Sequence, residues 1–245
     1  MVSMVKTLIL TASLLMLSGC SRHGMAQLTE QQSNSYREDI LVRANNYPGL
    51  VDFYRAELAK KETPELSYKL AYSYYMIGNY TEALRYITPL LDKNVPQYHL
   101  LAAKTYVLSG SYGNAMHSAQ KTIFLDPKNS EAYNIMGIAN AYKGKVNESK
   151  EYIEKARANY IGDSTAVNNL AVLAMLSSDY QQSITLLFPE YMKGNRDTKL
   201  VHNLVFSLIK AGDRKYAKKI IEEEKIAKDA DFLLNALSYV ETLEI

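Results

Sequence analysis

The chain has 245 residues, 47% of them hydrophobic, enough apolar surface for one large core or two small ones, which excludes a disordered tail. Lys and Arg number 28 against 26 Asp and Glu, and no run of like charge exceeds Glu222, Glu223 and Glu224. Phosphate binding needs a concentrated basic face, so this evenly mixed chain excludes nucleic acid as an expected partner.

Lys6 supplies a positive start and Leu8 to Met16 a short apolar run, well below the about 20 residues needed to span a bilayer. Leu17, Ser18, Gly19 and Cys20 follow, and Cys20 is the single cysteine of the chain. This segment resembles the lipobox of bacterial lipoproteins; the alternative is an ordinary secretory signal followed by a chance thiol. The resemblance implies that residues 1–19 are a lipoprotein signal peptide and that Cys20 is the lipidation site and first residue of the mature chain. A thiol converted to a thioether is lost to disulfides and to nucleophilic chemistry. Diacylglycerol plus an amide-linked acyl chain exceeds the two hydrophobic signals that stable anchoring takes. Ser21 stands where an Asp would resemble the inner-membrane retention signal, so the same resemblance implies an outer-membrane protein facing the periplasm. Residues 20–33 are polar and aperiodic and read as a lipidated, flexible tether.

Residues 34–62 read as a degenerate helical hairpin, Tyr36 to Ala44 and Pro48 to Lys61. Leu50, Phe53, Tyr54 and Leu58 give its second helix an apolar stripe, and Pro48 suits a first helical turn. This hairpin is the expected N-terminal cap.

From Pro64 onward apolar residues recur at three and four positions and no strand-like alternation persists, so the chain is expected to be all-α. The small residues Ala71, Ala103, Gly137, Ala171 and Val205 follow one another at intervals of 32, 34, 34 and 34. Ala83, Ala115, Ser149, Ser183 and Ala217 repeat those spacings, and Gly78, Gly110, Gly144, Ser178 and Gly212 fall between them, where a helix must end and the chain must turn. Two helices approach closely only where side chains are small, so these columns mark helix crossings.

The three columns resemble the tetratricopeptide-repeat (TPR) family, a solenoid of helix-turn-helix units of about 34 residues. Pro64, Pro96, Ser130, Ser164 and Thr198 stand at the first position of each unit, and the reading gives five TPR-like repeats over 64–227 with a C-terminal capping helix at 229–244. Asn140 and Ala174 depart from the usual tyrosine, Arg214 from the aromatic that opens a second helix, and Val205 from the preferred Ala or Gly, departures that weaken the fifth repeat most.

In this family the first helices of successive repeats line a protein-binding groove. Carried over position by position, the resemblance places in it Tyr68, Tyr72, Tyr75 and Met76, then Leu100, Lys104, Val107 and Leu108. The third and fourth repeats contribute Asn134, Ile138, Ala141, Tyr142, Asn168, Val172, Met175 and Leu176. The fifth adds Lys199, His202, Phe206, Ile209 and Lys210. Such a groove is apolar and aromatic with a few amides, suited to an amphipathic helix or extended segment of another protein. Core packing competes for its tyrosines; Tyr74 and Tyr106 are read as structural, and Tyr72 and Tyr75 are open to burial by the N-terminal hairpin. His99 is read as a packing residue.

No phosphate loop, nucleophile elbow or metal-binding histidine pair is present in the sequence, so no cofactor, metal, small-molecule substrate or catalytic residue is expected. The lipobox, Asn168-Asn169-Leu170-Ala171, Asn203-Leu204 and the final Phe232 to Leu237 together resemble TadD, the TPR lipoproteins of the tight-adherence system that builds Flp pili. That resemblance implies a pilotin-like scaffold whose partners are a secretin or other pilus-assembly proteins and, through the lipid, the membrane. Membership of another TPR lipoprotein group stays open, such as a type IV pilus pilotin or an adaptor for peptidoglycan hydrolases.

Overall fold

The computed structural model describes residues 30–240, so the signal segment and Cys20 lie outside the described residues. Thirteen α-helices and no strand occur among the described residues, and the chain divides into two compact units, 1–46 and 47–245. The described part of the first unit is α1 (Glu30–Arg43). Residues 30–33, the last four of the expected tether, fall within this helix.

The second unit begins with α2 (Tyr47–Lys60), whose Leu50, Val51, Phe53 and Tyr54 are buried. Five helical hairpins follow: α3 (Pro64–Met76) with α4 (Tyr80–Ile87), α5 (Pro96–Leu108) with α6 (Tyr112–Leu125), and α7 (Ser130–Ala141) with α8 (Val146–Ala158). Then come α9 (Asp163–Leu176) with α10 (Tyr180–Met192), α11 (Thr198–Lys210) with α12 (Arg214–Glu223), and a last helix, α13 (Ala230–Ser238). Each helix packs on the next, and each first helix also packs on the first helix of the following hairpin, which is translational stacking of one repeated unit.

The small-residue columns sit at the crossings. Ala71, Ala103, Ala171, Ala83, Ala115, Ser149, Ser183 and Ala217 are all fully buried. Gly137 is the tightest case: a Cβ there would lie 2.6 Å from Ile153 Cγ1 and 3.2 Å from the Ser149 carbonyl oxygen. Ser149 Oγ uses this closeness to donate to the Gly137 carbonyl at 2.7 Å. At the turn column, Gly78, Gly110, Gly144 and Gly212 have φ between 73° and 90°, and Ser178 takes the same left-handed conformation at 58°.

Two departures from the expected helices have local causes. The second helix of the first hairpin stops at Ile87, short of the fuller second helices of the next three hairpins, because Pro89 lacks the amide an α-helix needs and the chain tightens into a 3₁₀ turn, Thr88–Leu90. The fifth repeat is not the weak one: Val205 is buried in the most extensive core cluster, and Arg214 extends to α13, its Nη2 donating to Asn235 Oδ1 at 2.6 Å. At several helices the side chain one residue before the start caps it, as Thr63 does for Leu66 N and Asn129 for Ala132 N.

Candidate functional site

The first helices α3, α5, α7, α9 and α11 touch one another in sequence, so their outward faces join into one surface along the stack. Its N-terminal end is aromatic. Tyr72 meets Tyr47 of α2 edge-on at 6.3 Å, Tyr75 lies 6.3 Å from both Tyr72 and Tyr80, and Tyr68 is 5.3 Å from Tyr98. Contact with Tyr47 leaves Tyr72 40% exposed, so α2 flanks this tyrosine without burying it. Tyr74 is instead core, stacked on Tyr86 at 5.8 Å. Partial burial raises the pKa of Tyr68, Tyr72 and Tyr75, which keeps their phenols neutral and able to donate hydrogen bonds at physiological pH.

In the middle of the surface, Tyr75, Lys104, Val107, Leu108, Asn134 and Ile138 meet around a pocket of about 370 Å³. Lys104 is not the lone cation that its position suggests. Its Nζ donates to both carboxylate oxygens of Glu131 at 2.8 Å, joining α5 to α7, so the pair presents little net charge to a ligand. The groove asparagines are also linked. Asn169 Nδ2 donates to Asn134 Oδ1 at 2.7 Å, and Asn203 Nδ2 donates to Asn168 Oδ1 at 2.9 Å, so one amide pair joins α7 to α9 and the next joins α9 to α11.

A second pocket of about 350 Å³ opens between α7 and α9, walled by Ile138, Tyr142, Val172 and Leu176 with Asn169 beside them. Its lining is mostly hydrocarbon. Tyr142 is held by stacking on Tyr112, with ring centres 4.4 Å apart and planes 8° from parallel. Gly137 governs the depth here, since its missing side chain lets Ile153 of α8, another wall of this pocket, approach α7.

Other assigned groove residues are distributed less favourably. Met175 is 7% exposed and Ile209 is buried, because the helix turns these positions toward its neighbours, and they contribute packing rather than contact surface; Ala141 is also buried but still lines the second pocket. Leu100 leans on the core shared by α5, α6 and α7. Phe206 packs edge-on against Tyr180 at 6.2 Å, and Lys210 both covers the Tyr180 ring and donates to the Val240 carbonyl at 2.8 Å. His202 and Lys199 are exposed, as are Met76 and Leu108. Glu131, Asn169, Asn203 and Thr165 were not assigned to the groove from sequence. Asn169 and Asn203 were legible in principle, since both follow an assigned groove position and stand 34 residues apart.

His99 is buried, as a packing residue should be, but its Nε2 has no hydrogen-bond partner. Burial lowers its pKa, and nearby Lys121 and His117 lower it further, so the neutral imidazole is the form the fold accommodates. Among the described residues no three metal-ligating side chains converge, and no helix is long and apolar enough to cross a membrane.

No protein-family model matches the chain. It is 22% identical over 206 residues to the TPR repeat-containing protein YpiA of Bacillus subtilis strain 168, an alignment covering 82% of this chain and 49% of that protein, so the chain spans about half its relative's length. Among solved structures it resembles a thermophilic TPR protein of Thermus thermophilus, at a TM-score of 0.59 and 15% identity over 73% of this chain and 98% of that one. It also resembles a tetratricopeptide repeat protein from Parabacteroides merdae ATCC 43184, at a TM-score of 0.66 and 13% identity over 82% and 79% of the two chains. At such identities the likeness to the solved structures is one of fold.

Proposed function

The chain is a tetratricopeptide-repeat solenoid, and from that premise we propose that it is a lipid-anchored scaffold of the outer membrane's periplasmic face, binding a secretin or another pilus-assembly protein in a tight-adherence system. The observation that carries the binding half is the pair of adjoining pockets on the first-helix surface, one rimmed by Tyr75 and Lys104 and the other walled by Val172 and Leu176, with Ile138 shared by both. An apolar side chain from a partner segment gains about 1.5–3 kcal/mol by leaving water for such a pocket. Neutral phenols and carboxamides beside it supply hydrogen bonds without selecting a strongly charged ligand. The cellular half is supported by the lipobox-like run ending at Cys20 and by the motifs similar to TadD.

The test places a photo-crosslinking side chain at Val107 or Tyr142 of the full chain in a strain that makes Flp pili. A secretin adduct that disappears in the Ile138→Arg variant, with helical circular dichroism retained, is the expected result. Adducts formed only with cell-wall hydrolases would overturn the pilus assignment while leaving the groove in place, and adducts unaffected by Ile138→Arg would overturn the groove. Cys20→Ser should release the protein from the membrane fraction with its helical spectrum intact.

A further inference from the structure

The terminal element of a solenoid normally turns a polar face outward, which keeps the stack soluble. Helix α13 does the opposite. It buries Ala230 and Leu234 in the core shared with α11 and α12, and Leu233 and Leu237 lean on the same core. The other side of the helix carries Phe232, Ala236 and Tyr239, at i, i+4 and i+7, with Val240 beside them. All four are exposed, Phe232 at 71%, Tyr239 at 85% and Val240 at 44%. Tyr239 follows the last helical residue and keeps a helical backbone, φ −92° and ψ −9°, so it continues the stripe. The polar side chains of α13 are meanwhile engaged with their own chain. Asp231 pairs with Lys218 at 2.6 Å, Asn235 accepts from Arg214, and Ser238 Oγ donates to the Asn235 carbonyl. A helix apolar on both sides belongs inside an assembly.

The register shows what the open side is shaped to receive. Helix α13 packs on α11 and α12 as α11 packs on α9 and α10, which is the place of a sixth first helix. Tyr239 stands 34 residues after Val205, in the column of Ala71, Ala103, Gly137 and Ala171. Those residues lie against the second helix of their own hairpin, as Gly137 does against Ile153 and Ser149 of α8. The open side of α13 is therefore the side on which a first helix takes an antiparallel neighbour.

Shape and charge select a second copy as that neighbour. Bulky rings near both ends and Ala236 between them make the face its own complement. A two-fold axis through Ala236 sets two copies of α13 antiparallel and lays Phe232 of one beside Tyr239 of the other, across the close approach that alanine permits. From Phe232 to Val240 the Tyr239 phenol is the only ionisable side chain, so the contact buries no formal charge. At the start of α13 the carboxylates of Asp229 and Asp231 follow Lys228, and the Asp231 side chain stays 69% exposed beside Lys218. At its end Lys210 Nζ donates to the Val240 carbonyl at 2.8 Å. The same axis brings each copy's Asp231 end to the other's Lys210 end and opposes the two helix dipoles.

We propose that α13 is a self-association face through which two copies of this chain join end to end as an antiparallel α13 pair. The two rings of each copy offer about 150–250 Å² apiece, so the interface falls below the roughly 1,200 Å² of standard complexes and the dimer is a weak, reversible one. It does not depend on the partner proposed for the groove.

Sedimentation of full-length Cys20→Ser protein should show monomer at about 1 µM and mostly dimer at about 100 µM. Ala236→Glu puts a charge on the axis and should weaken the dimer about tenfold or more, with the melting temperature of the monomer unchanged because the site is exposed. Cys20→Ser removes the single thiol of the chain, so introduced cysteines report geometry. Ala236→Cys should form a disulfide-linked dimer on mild oxidation, and Leu108→Cys on the groove face should not. Phe232→Cys should couple to Tyr239→Cys when the two variants are mixed, and poorly to itself. Monomer at every concentration would overturn the proposal, including the case in which residues 241–245 shield Tyr239. So would association that survives Ala236→Glu, as one driven by the apolar run at Leu8 to Met16 would, or Phe232→Cys coupling to itself as well as to Tyr239→Cys.

Discussion

Gly137 and His99 show opposite ways in which one position can govern this fold. At Gly137 the constraint is room. A methyl group would sit 2.6 Å from Ile153 Cγ1 and 3.2 Å from the Ser149 carbonyl oxygen, so the Ile153 side chain must leave its place and the α8 backbone must give way. Gly137→Ala should therefore destabilise the third hairpin by about 1–3 kcal/mol, although alanine is the better helix former by about 1 kcal/mol on exposed sites. Thermal melting checks this, and an unchanged midpoint would show that α7 and α8 can slide apart without cost. At His99 the constraint is protonation. Its folded pKa lies below the ordinary 6.5, so the neutral ring contributes stability that is fully present above that value and is lost as pH falls below it. Midpoints measured from pH 7 down to about 5, above the range where carboxylates titrate, should fall more steeply for the parent than for His99→Gln. Parallel curves would mean that the buried nitrogen finds a partner on protonation.

At the scale of helices, sequence disclosed whatever obeys the repeat and concealed whatever joins one repeat to another. The crossings were legible because a helix pair admits only small side chains there, and the turns because a left-handed residue favours glycine. Lys104 with Glu131, and Asn169 with Asn134, were concealed because their partners lie 27 and 35 residues away, on different hairpins. The same holds for the lock between α10 and α12. Tyr191 Oη donates to Glu224 Oε1 at 2.8 Å, Arg196 Nε donates to the same oxygen at 2.7 Å, and the Arg196 guanidinium lies 3.9 Å from the Tyr191 ring centre. Burial first, and then the Glu224 carboxylate, push the Tyr191 phenol up to about 12. A raised phenol pKa means that this stability is fully present below the unfolded value of 10 and is lost as pH rises through 10 toward 12. Tyr191→Phe should lower stability at neutral pH by about 1 kcal/mol, since Arg196 still satisfies Glu224, and should flatten the alkaline limb of the stability profile. A phenylalanine variant that keeps the parent's alkaline limb would assign that limb to another tyrosine.

For the whole molecule, stacking without closure makes stability a sum over neighbours rather than the property of one core. Among the described residues, several buried clusters follow this division: one joins the first two hairpins, one the second and third, one the third and fourth, and one runs from α9 through α13. The last is the most extensive, with Leu200, Leu204, Ile220 and Ile221 fully buried, and α13 covers its far side. Its extent was hidden in the sequence because Val205 and Arg214 break the repeat's preferences, one by filling space and the other by reaching to α13. Local opening should therefore be cheapest in the N-terminal hairpins and dearest around α11. Native-state hydrogen exchange should give the slowest amides at Leu204, Val205 and Leu208, with α3 and α4 exchanging through openings smaller than global unfolding. Equal protection from α3 to α12 would show that the solenoid opens as one cooperative body and that its clusters are thermodynamically continuous. Graded protection also bears on binding, because a partner that fills both groove pockets ties α3 to α9 and should slow exchange most in the hairpins least protected without it.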